Sequence, residues 1–401
     1  MKQSVFYMFI MLLWALCLQS SCSKNNNDDT NPLPDDTTVA ASFIFGADMS
    51  YVNQVEDHGG KFTENGVQKD VFKIFADNGA TTIRVRIWHN PAWIKTVYGS
   101  TTPVYSGLQD VIKTCQRSKA QGMDVLLDFH YSDIWADPQN QKIPDAWKNI
   151  TSVQVLSDSV YNYTLQVLDA LGKQNLLPEM VQIGNESNCG FMYTNAPSGF
   201  PKLNVCNGNW ANFGQVVNAG IKAVRDMETK YHKNIEIALH VADPNNIDWW
   251  FSKVIDTGKV TDFDIIGFSY YPHWHKTVSF TQLPTLVTDL IARFNRKLIV
   301  LETAYPFSAD NYDAYGNTMN NSSVIEGYPC SVSGQTEFLK ALCQNMITAG
   351  ASGVFYWEPA WISSDMKDLW GQGSAWENCC LFSFTGSTSA AIKYMSHKYN
   401  R

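Results

Sequence analysis

The sequence predicts a single α/β domain, a (β/α)8 TIM barrel, over residues 42–401. Short apolar, β-branched runs alternate with longer amphipathic segments, a pattern typical of a parallel sheet covered by helices. There are eight such runs, which fits a closed barrel better than an open, doubly wound sheet. No Gly-rich phosphate-binding motif opens the first helix, and this also weighs against a nucleotide-binding fold.

The eight predicted strands begin apolar and end in polar or aromatic residues. They cover residues 43–49, 82–88, 124–131, 180–186, 235–241, 264–271, 297–305 and 353–361. Predicted helices between them include residues 107–122, 153–174, 211–231 and 335–350. The carboxyl ends of barrel strands meet at one rim, where active sites lie. Core packing does not explain eight polar strand ends, because burying so much charge is costly. We therefore expect the functional site at this rim.

The first 21 residues resemble a bacterial lipoprotein signal peptide. Lys2 precedes an apolar stretch over residues 5–18 that is too short to span a bilayer comfortably. Small residues then lead to Cys22, which we expect to carry the lipid. Residues 22–41 are polar, contain Pro and lack periodicity, so they predict a flexible tether. These features predict anchoring to the bacterial outer membrane, facing the cell surface. An ordinary signal peptide cut nearby, with Cys22 unmodified, is the alternative.

The net charge limits the classes of partner, and the number and spacing of the cysteines limit the disulfides and metal sites. The formal net charge of −8 at pH 7 argues against nucleic acid and against a broad electrostatic attraction to anionic lipid. Of nine cysteines, seven remain once Cys17 leaves with the signal peptide and Cys22 is lipidated, so at least one thiol stays free. No Cys/His spacing suggests zinc. Cys189 and Cys206 bracket a loop rich in Gly, Pro and Asn, and we predict that they pair, whereas Cys115 is predicted to be a buried thiol.

Two glutamates are the strongest candidates for chemistry. Glu186 and Glu302 end the fourth and seventh predicted strands, on opposite sides of the rim. Cleavage of a glycosidic bond needs one carboxylic acid to protonate the leaving oxygen and a second carboxyl group to attack the sugar or to activate water. A separation of about 5–5.5 Å between the carboxyl groups gives retention of configuration, and roughly 6.5–9.5 Å gives inversion.

The ordered set of strand ends resembles glycoside hydrolase family 53, the endo-β-1,4-galactanases, within the larger group of retaining barrel glycosidases that carry Asn-Glu on strand four and Glu on strand seven. The matching stretches are Gly46-Ala47-Asp48-Met49-Ser50, Arg84-Val85-Arg86-Ile87-Trp88, residues 128–138, Gln182-Ile183-Gly184-Asn185-Glu186, residues 267–274, Glu302-Thr303-Ala304-Tyr305-Pro306 and Trp357-Glu358-Pro359-Ala360-Trp361. An isolated Asn-Glu pair is a weak signal, but these stretches span nearly the whole domain in the expected order.

The resemblance implies a role for each residue of the central constellation. Glu186 would be the acid/base, and Glu302 the nucleophile that forms a covalent galactosyl-enzyme. Asn185 would bind the sugar 2-OH, a contact that strengthens in the transition state. We expect Arg86 to hold Glu302 ionised; pairing of Arg86 with a non-catalytic Asp is the alternative. A tyrosine of the sixth strand, Tyr270 or Tyr271, would orient Glu302.

Further residues are expected to bind substrate. Trp357 would form the floor of the −1 subsite. Candidate hydrogen-bonding residues are His130, His240 and Asp48, and candidate stacking platforms are Trp88, Trp274 and Trp361. Each has a structural alternative: either histidine could be a satisfied core residue, any of the tryptophans could fill the core, and Asp48 could tie rim loops together.

A long polar insertion follows the seventh strand at residues 307–333. It contains Asp310, Asp313 and Asn317, oxygen ligands of the kind that Ca²⁺ takes. The resemblance implies a structural calcium ion here, with Ser364 and Asp368 after the eighth strand as further ligands. A solvated acidic loop is the alternative. No cofactor is expected for the chemistry itself.

The sequence thus predicts a monomeric, retaining endo-β-1,4-galactanase that hydrolyses the β-1,4-galactan side chains of pectin. Two alternatives stay open. One is another β-glycanase of the same barrel group, such as a mannanase or xylanase. The other is a non-catalytic, surface glycan-binding lipoprotein, which would share the anchor, the tether and the aromatic content, although the presence of both glutamates argues against it.

Overall fold

The computed structural model describes residues 43–400, which contain a closed barrel of eight parallel strands. The predicted signal peptide and the whole of the predicted tether, including Cys22, lie outside these residues. The strands are β1 (Ile44–Asp48), β2 (Thr63–Glu64), β3 (Val67–Gln68), β4 (Thr82–Ile87), β5 (Asp124–Phe129), β6 (Met180–Ile183), β7 (Glu236–Ala242), β8 (Ile265–Ser269), β9 (Lys297–Glu302) and β10 (Gly353–Tyr356). The α-helices are α1 (Val52–Asp57), α2 (Val71–Asp77), α3 (Trp93–Tyr98), α4 (Leu108–Ala120), α5 (Val153–Gly172), α6 (Trp210–Tyr231), α7 (Ile247–Asp256), α8 (Leu283–Phe294) and α9 (Val332–Thr348).

The barrel consists of β1 and of β4 to β10, each beside its neighbour in chain order. Strand β1 closes the barrel by pairing with β4 on one side and β10 on the other, both in parallel. The predicted fold class and all eight predicted strands are therefore confirmed. Among the described helices, none combines the length and the apolar character needed to cross a bilayer.

A layer of apolar side chains packs the interior of the barrel. This layer consists of Leu126, Met180, Ala238, Ile265, Ile299, Leu301 and Phe355, all buried. Glycines make room for the larger members, since a Cβ on Gly46 would lie 2.1 Å from the ring of Phe355. This apolar layer closes the end of the barrel at which β1 begins, and the polar rim lies at the opposite end.

Several strands end in a sharp turn at the rim. Tyr131, Glu186, Asp243 and Glu358 follow β5, β6, β7 and β10, and each has a positive φ, between 42° and 64°. Left-handed backbone at residues other than Gly is strained and clusters at functional sites. The predicted fourth and eighth strands therefore stop earlier than expected, at Ile183 and at Tyr356.

Local sequence signals explain where other elements begin. The side chains of Asp70, Ser152 and Ser331 accept backbone N–H groups at the starts of α2, α5 and α9, which is the usual N-cap arrangement. The β2–β3 hairpin was not predicted. Its turn is Asn65-Gly66, and both residues have positive φ, as a tight two-residue hairpin requires.

Candidate active site

A single buried guanidinium organises the centre of the rim. Arg84 of β4 is 1% exposed. Its partners are Asp48 (2.9 Å), Asp128 (2.8 Å), Asn185 (2.8 Å), Glu302 (2.8 Å) and Gln182 (3.2 Å). A buried charge is tolerated only when it is paired and its hydrogen bonds are satisfied. Arg84 therefore binds together five strand ends, including the two that carry the proposed chemistry.

The expectation that Arg86 holds Glu302 was wrong: Arg84 does so. Both arginines point to the same face of β4, because side chains alternate along a strand. Arg86 lies two residues beyond Arg84 along β4, and its NH1 donates to Glu358 Oε1 (2.5 Å). Its guanidinium also packs 4.1 Å from the ring centroid of Tyr51 and 4.2 Å from that of Trp135. Arg86 thus supports the aromatic wall of the site.

Glu302 ends β9 and is surrounded by donors to its charged form. Oε1 accepts from Arg84 NH1 (2.8 Å), and Oε2 accepts from the hydroxyl of Tyr271 (3.0 Å). Burial raises the pKa of Glu302 to about 7, while Arg84 and the Tyr271 hydroxyl act to lower it. Tyr270, the other tyrosine considered, lies over Phe280 instead.

Glu186 lies across from Glu302 in a different environment. It follows β6 after a turn at Gly184 and has φ +42°. Its Oε1 accepts from the hydroxyl of Ser269 at 2.5 Å, and no lysine or arginine of residues 43–400 forms an ion pair with its carboxyl group. Burial, and then the nearby charge of Glu302, raise the pKa of Glu186 well above its usual value. Glu302 is therefore the stronger acid of the pair, and Glu186 keeps its proton to higher pH.

The two carboxyl groups are close together. One carboxylate oxygen of Glu186 and one of Glu302 lie within 4.8 Å of each other, with a ring nitrogen of His240 equally near. Both nitrogens of His240 have hydrogen-bond partners. The cluster is therefore organised for proton chemistry and not for metal coordination.

Asn185 has one hydrogen free for a ligand. Its Oδ1 accepts from Arg84 and from Gln182 Nε2 (3.0 Å), and its Nδ2 donates to the carbonyl of Ala136 (2.8 Å). An amide NH₂ has two hydrogens, so one remains for a hydroxyl group in the cleft. Gln182, which the sequence reasoning did not single out, fixes this amide.

The two predicted histidines do not line the cleft. His130 is held by Asp128 (3.0 Å) and by the indole N–H of Trp88 (3.2 Å), and His240 lies behind Asn185 and Ser269. Both are buried and satisfied by protein groups, so the substrate-contact role expected for them is not what the structure shows. They orient other residues of the site.

A cleft of about 620 Å³ lies over the two glutamates and is rich in aromatic side chains. The aromatic lining residues are Trp135, Tyr271, Trp274, Tyr315, Trp357, Trp361, Trp370 and Trp376. Trp274, Trp357 and Trp361 were predicted, and the other tryptophans were missed. Flat apolar faces next to polar rims suit sugar rings.

Two other predicted contacts lie outside the cleft. Trp88 is buried against Trp93 and Trp135, which cover it from the loops that follow β4 and β5. Asp48 is buried as a partner of Arg84 and of the Ser50 hydroxyl. Neither residue is among those that line the cleft, so the structure assigns both to support of the site.

The carboxylates that line the cleft are not balanced by lysine or arginine. Among the lining residues are four carboxyl groups, those of Asp137, Glu186, Glu302 and Asp368, and neither lysine nor arginine. Anionic polymers would meet repulsion without a compensating cation. The cleft therefore favours a neutral ligand.

The predicted calcium ligands are distributed over three places. Asp313 and Ser364 line a small cavity near His58. Asp368 instead lies in the main cleft, where its carboxylate accepts from Tyr315 and from the backbone N–H groups of Trp370 and Gly371. Asp310 and Asn317 form a local turn, in which Asn317 Nδ2 donates to the Asp310 carbonyl at 3.1 Å.

The cysteine prediction agrees with the structure. Cys189 and Cys206 form a disulfide that closes the loop after Glu186. Cys115 is a buried thiol in α4.

Comparison with known proteins identifies the family to which this chain belongs. The family model described as glycosyl hydrolase family 53 matches residues 44–395. This chain belongs to glycosyl hydrolase family 53. As a family 53 member, it is 41% identical over 358 residues to an arabinogalactan endo-β-1,4-galactanase of Cellvibrio japonicus, covering 89% of this chain and 90% of the relative.

A second relative and a solved structure are also similar to this family 53 chain over most of its length. An endo-β-1,4-galactanase of Bacillus subtilis is 35% identical over 351 residues, covering 83% of this chain and 76% of the relative. The solved family 53 catalytic domain of Ignisphaera aggregans superposes with a TM-score of 0.79 at 34% identity, covering 90% of this chain and 97% of that one.

Proposed function

We propose that this chain is a retaining endo-β-1,4-galactanase that acts on the β-1,4-galactan side chains of pectin. The observation that carries the proposal is the pair of buried glutamates. Their carboxylate oxygens lie within 4.8 Å of each other, and among the described residues only Glu302 has a cation beside it. That spacing belongs to the retaining class, since an inverting enzyme needs room for water between its carboxyl groups. The choice of galactan as substrate rests on the similarity to the endo-β-1,4-galactanases of Cellvibrio japonicus and Bacillus subtilis.

In the first step, Glu302 is ionised and attacks the anomeric carbon. Arg84 and Tyr271 hold its carboxylate by one hydrogen bond to each oxygen. Glu186 gives its proton to the glycosidic oxygen as that bond breaks, which its raised pKa allows. The product of this step is a galactosyl ester on Glu302, and the leaving sugar departs.

In the second step, Glu186 is a carboxylate and acts as base. The charge of Glu302 has been consumed in the ester, so the repulsion that raised the pKa of Glu186 is gone. Glu186 takes a proton from a water molecule, which attacks the anomeric carbon and releases Glu302. Two displacements at the same carbon leave the product with its original β configuration.

The remaining lining residues fit a neutral polysaccharide. Trp357 lines the cleft beside Trp135 and Trp376, and the free N–H of Asn185 is available to a sugar 2-OH. The absence of lysine and arginine from the lining disfavours the acidic backbone of pectin and leaves the neutral side chains as the part of that polymer that the cleft accepts.

The first test is a reducing-sugar assay of the purified protein on linear β-1,4-galactan, with NMR of the first products to read their anomeric configuration. β-Configured galacto-oligosaccharides would support substrate, internal cleavage and retention together. Release from mannan or xylan but not from galactan would overturn the substrate. Binding of galactan without release of reducing ends would favour the non-catalytic glycan-binding alternative.

We also propose a structural calcium ion at the loop that follows β9. Asn317 Oδ1 and Glu377 Oε2 are buried oxygens that accept from no protein donor among the described residues. The two side chains touch, because Asn317 Nδ2 lies 3.4 Å from Glu377 Oε1. Buried oxygens without donors suit a hard cation. Glu377 would thus replace Asp368 among the ligands expected from the sequence.

Calcium should raise the unfolding temperature of the protein, and a chelator should lower it. In Glu377→Gln this dependence should disappear, whereas the matched variant Asp368→Asn should keep it. A wild-type unfolding temperature that does not respond to either calcium or chelator would reject the proposal.

Finally, we propose that Cys22 is lipidated and anchors the protein to the outer membrane, on the strength of the signal-like sequence before it. Replacing Cys22 with Ser should abolish incorporation of labelled fatty acid and move the protein to the soluble fraction. Unchanged membrane association in that variant would show that another feature holds it there.

A further inference from the structure

We propose that Ser269, supported by His240, is a positioning residue for the acid/base. It pins one oxygen of Glu186 so that the other faces the glycosidic bond, and it stabilises the carboxylate that forms when Glu186 gives up its proton. This inference rests on the proposed function, since it assumes that Glu186 is the acid/base.

The contact is buried and short. Ser269 is the last residue of β8 and is fully buried. Its hydroxyl lies 2.5 Å from Glu186 Oε1 and 3.0 Å from His240 Nε2. It is the only side-chain hydrogen bond of the Glu186 carboxyl group within the described residues, so it alone restricts rotation of that group.

The hydrogen positions in the series of hydrogen bonds from His240 through Ser269 to Glu186 can be assigned from the donors around His240. The backbone N–H of Glu186 can only donate, and it points at His240 Nδ1 (3.3 Å), while the two hydrogens of Gln182 Nε2 have nearer acceptors in the Gly184 carbonyl and Asn185 Oδ1 (both 3.0 Å). Asn185 Oδ1 lies 2.9 Å from Nδ1, but it already accepts hydrogens from Arg84 and Gln182. Nδ1 therefore accepts, and in a neutral ring Nε2 carries the hydrogen.

Neutral His240 then fixes the direction of the hydroxyl. Burial, and then the charge of Arg84, lower the pKa of His240 well below its usual value, so the ring is uncharged. Its Nε2–H donates to Ser269 Oγ. The serine hydrogen is thereby directed to Glu186 Oε1, which leaves Oε2 for the substrate.

The pairing of β8 with β9 is irregular at the site. Phe268 pairs with Val300 and Ser269 with Glu302, so Leu301 of β9 is the extra residue, and such bulges commonly re-aim side chains next to active sites. Ser269 and Tyr271 are two residues apart. They deliver one hydroxyl to each glutamate, Ser269 to Glu186 and Tyr271 to Glu302.

The test is the pH profile of kcat/KM on galactan for Ser269→Ala. Without the donor, ionisation of Glu186 is less favourable, so the alkaline limb should move up by about one pH unit. The freely rotating carboxyl group should also lower kcat by about tenfold. Ser269→Thr keeps the hydroxyl and should restore the position of the limb, and Ser269→Cys, a weak donor, should shift it in the same direction as alanine.

Ser187→Ala is the matched control. Ser187 is the residue next to Glu186, it is buried, and its hydroxyl has no hydrogen-bond partner among the described residues. Removing that oxygen should leave both limbs in place. A purely structural role of Ser269 would lower activity equally at all pH values.

An unmoved alkaline limb in both Ser269→Ala and Ser269→Cys would overturn the inference while the proposed function stands. A wild-type protein that releases nothing from galactan would overturn the proposed function, and the inference with it.

Discussion

The two sides of the catalytic cleft surround chemically identical glutamate side chains with different partners. Glu302 is held at both oxygens, by Arg84 and by Tyr271, whereas Glu186 has, within the part of the chain that the structure describes, a single neutral donor and no cation. Both carboxyl groups are buried, which alone would raise both pKa values. The difference in partners separates the two acidities, and it is this separation that allows one glutamate to attack while the other keeps a proton.

The largest expected effect comes from removing either glutamate. Glu302→Ala should lower kcat on galactan by a factor on the order of 10⁴ or more, because no nucleophile remains. Glu186→Ala should lose as much on galactan but far less on an aryl β-galactobioside, whose leaving group needs no proton. Steady-state kinetics on both substrates would measure this difference.

Azide provides the stereochemical control for these variants. In Glu186→Ala it should attack the covalent intermediate and give a β-galactosyl azide, and in Glu302→Ala it should occupy the vacated space and give the α product. The opposite pattern would exchange the two roles, and near-wild-type activity in Glu302→Ala would falsify its assignment as the nucleophile.

A smaller effect is expected from Tyr271→Phe, which removes one donor from Glu302. The pKa of Glu302 should rise, so the acid limb of kcat/KM should move to higher pH and kcat/KM should fall by about tenfold near neutrality. Tyr270→Phe removes the neighbouring hydroxyl, which contacts neither glutamate, and should leave the profile unchanged. Equal shifts in the two variants would contradict the assignment of Tyr271.

The wild-type pH profile tests the same asymmetry without mutation. Glu302 must be ionised to attack, and its pKa is raised from 4.5 to about 7. Activity should therefore rise with pH through this region and fall again only at the higher pH where Glu186 loses its proton. An acid limb near pH 4.5 would mean that Arg84 and Tyr271 offset the cost of burial completely.

The smallest effect on turnover is expected from the disulfide, which lies three residues beyond Glu186. The double variant Cys189→Ala/Cys206→Ala should lose about 3 kcal/mol of unfolding free energy, because the unfolded chain is no longer restrained, with kcat changed by less than about twofold. Chemical denaturation and kinetics on one preparation measure both quantities. A large fall in kcat would show that the loop helps to position Glu186.

The barrel was predictable because its signals are local and repeated. Each strand is an apolar run of the right length, and each ends in polar residues, so eight independent signals agree. The β2–β3 hairpin shows the limit of this reasoning: Asn65-Gly66 is a strong turn signal, but its two-residue strands are too short to produce alternation.

The site was predictable in its residue types and less so in its contacts. Arg84 and Arg86 share a face of β4, and only the depth of each in the barrel decides which one reaches Glu302. Trp88 and Trp370 are both tryptophans near the rim, but one is covered by neighbouring loops and the other is exposed at the cleft. Ser269 lies within the matching stretch 267–274 but was not singled out, because a serine at a strand end is ordinary until the partner of its hydroxyl is known.

The entry of β1 at the closed end of the barrel has a practical consequence. Ile44 begins β1 and packs against the apolar layer, whereas Asp48 at the other end of the strand contacts Arg84 beneath the cleft, so the first described residues lie at the end of the barrel away from the cleft. A tag, a fused module or a solid support attached through this end should leave the mouth of the cleft unobstructed. Immobilised in this way, the enzyme should digest long chains as readily as short ones.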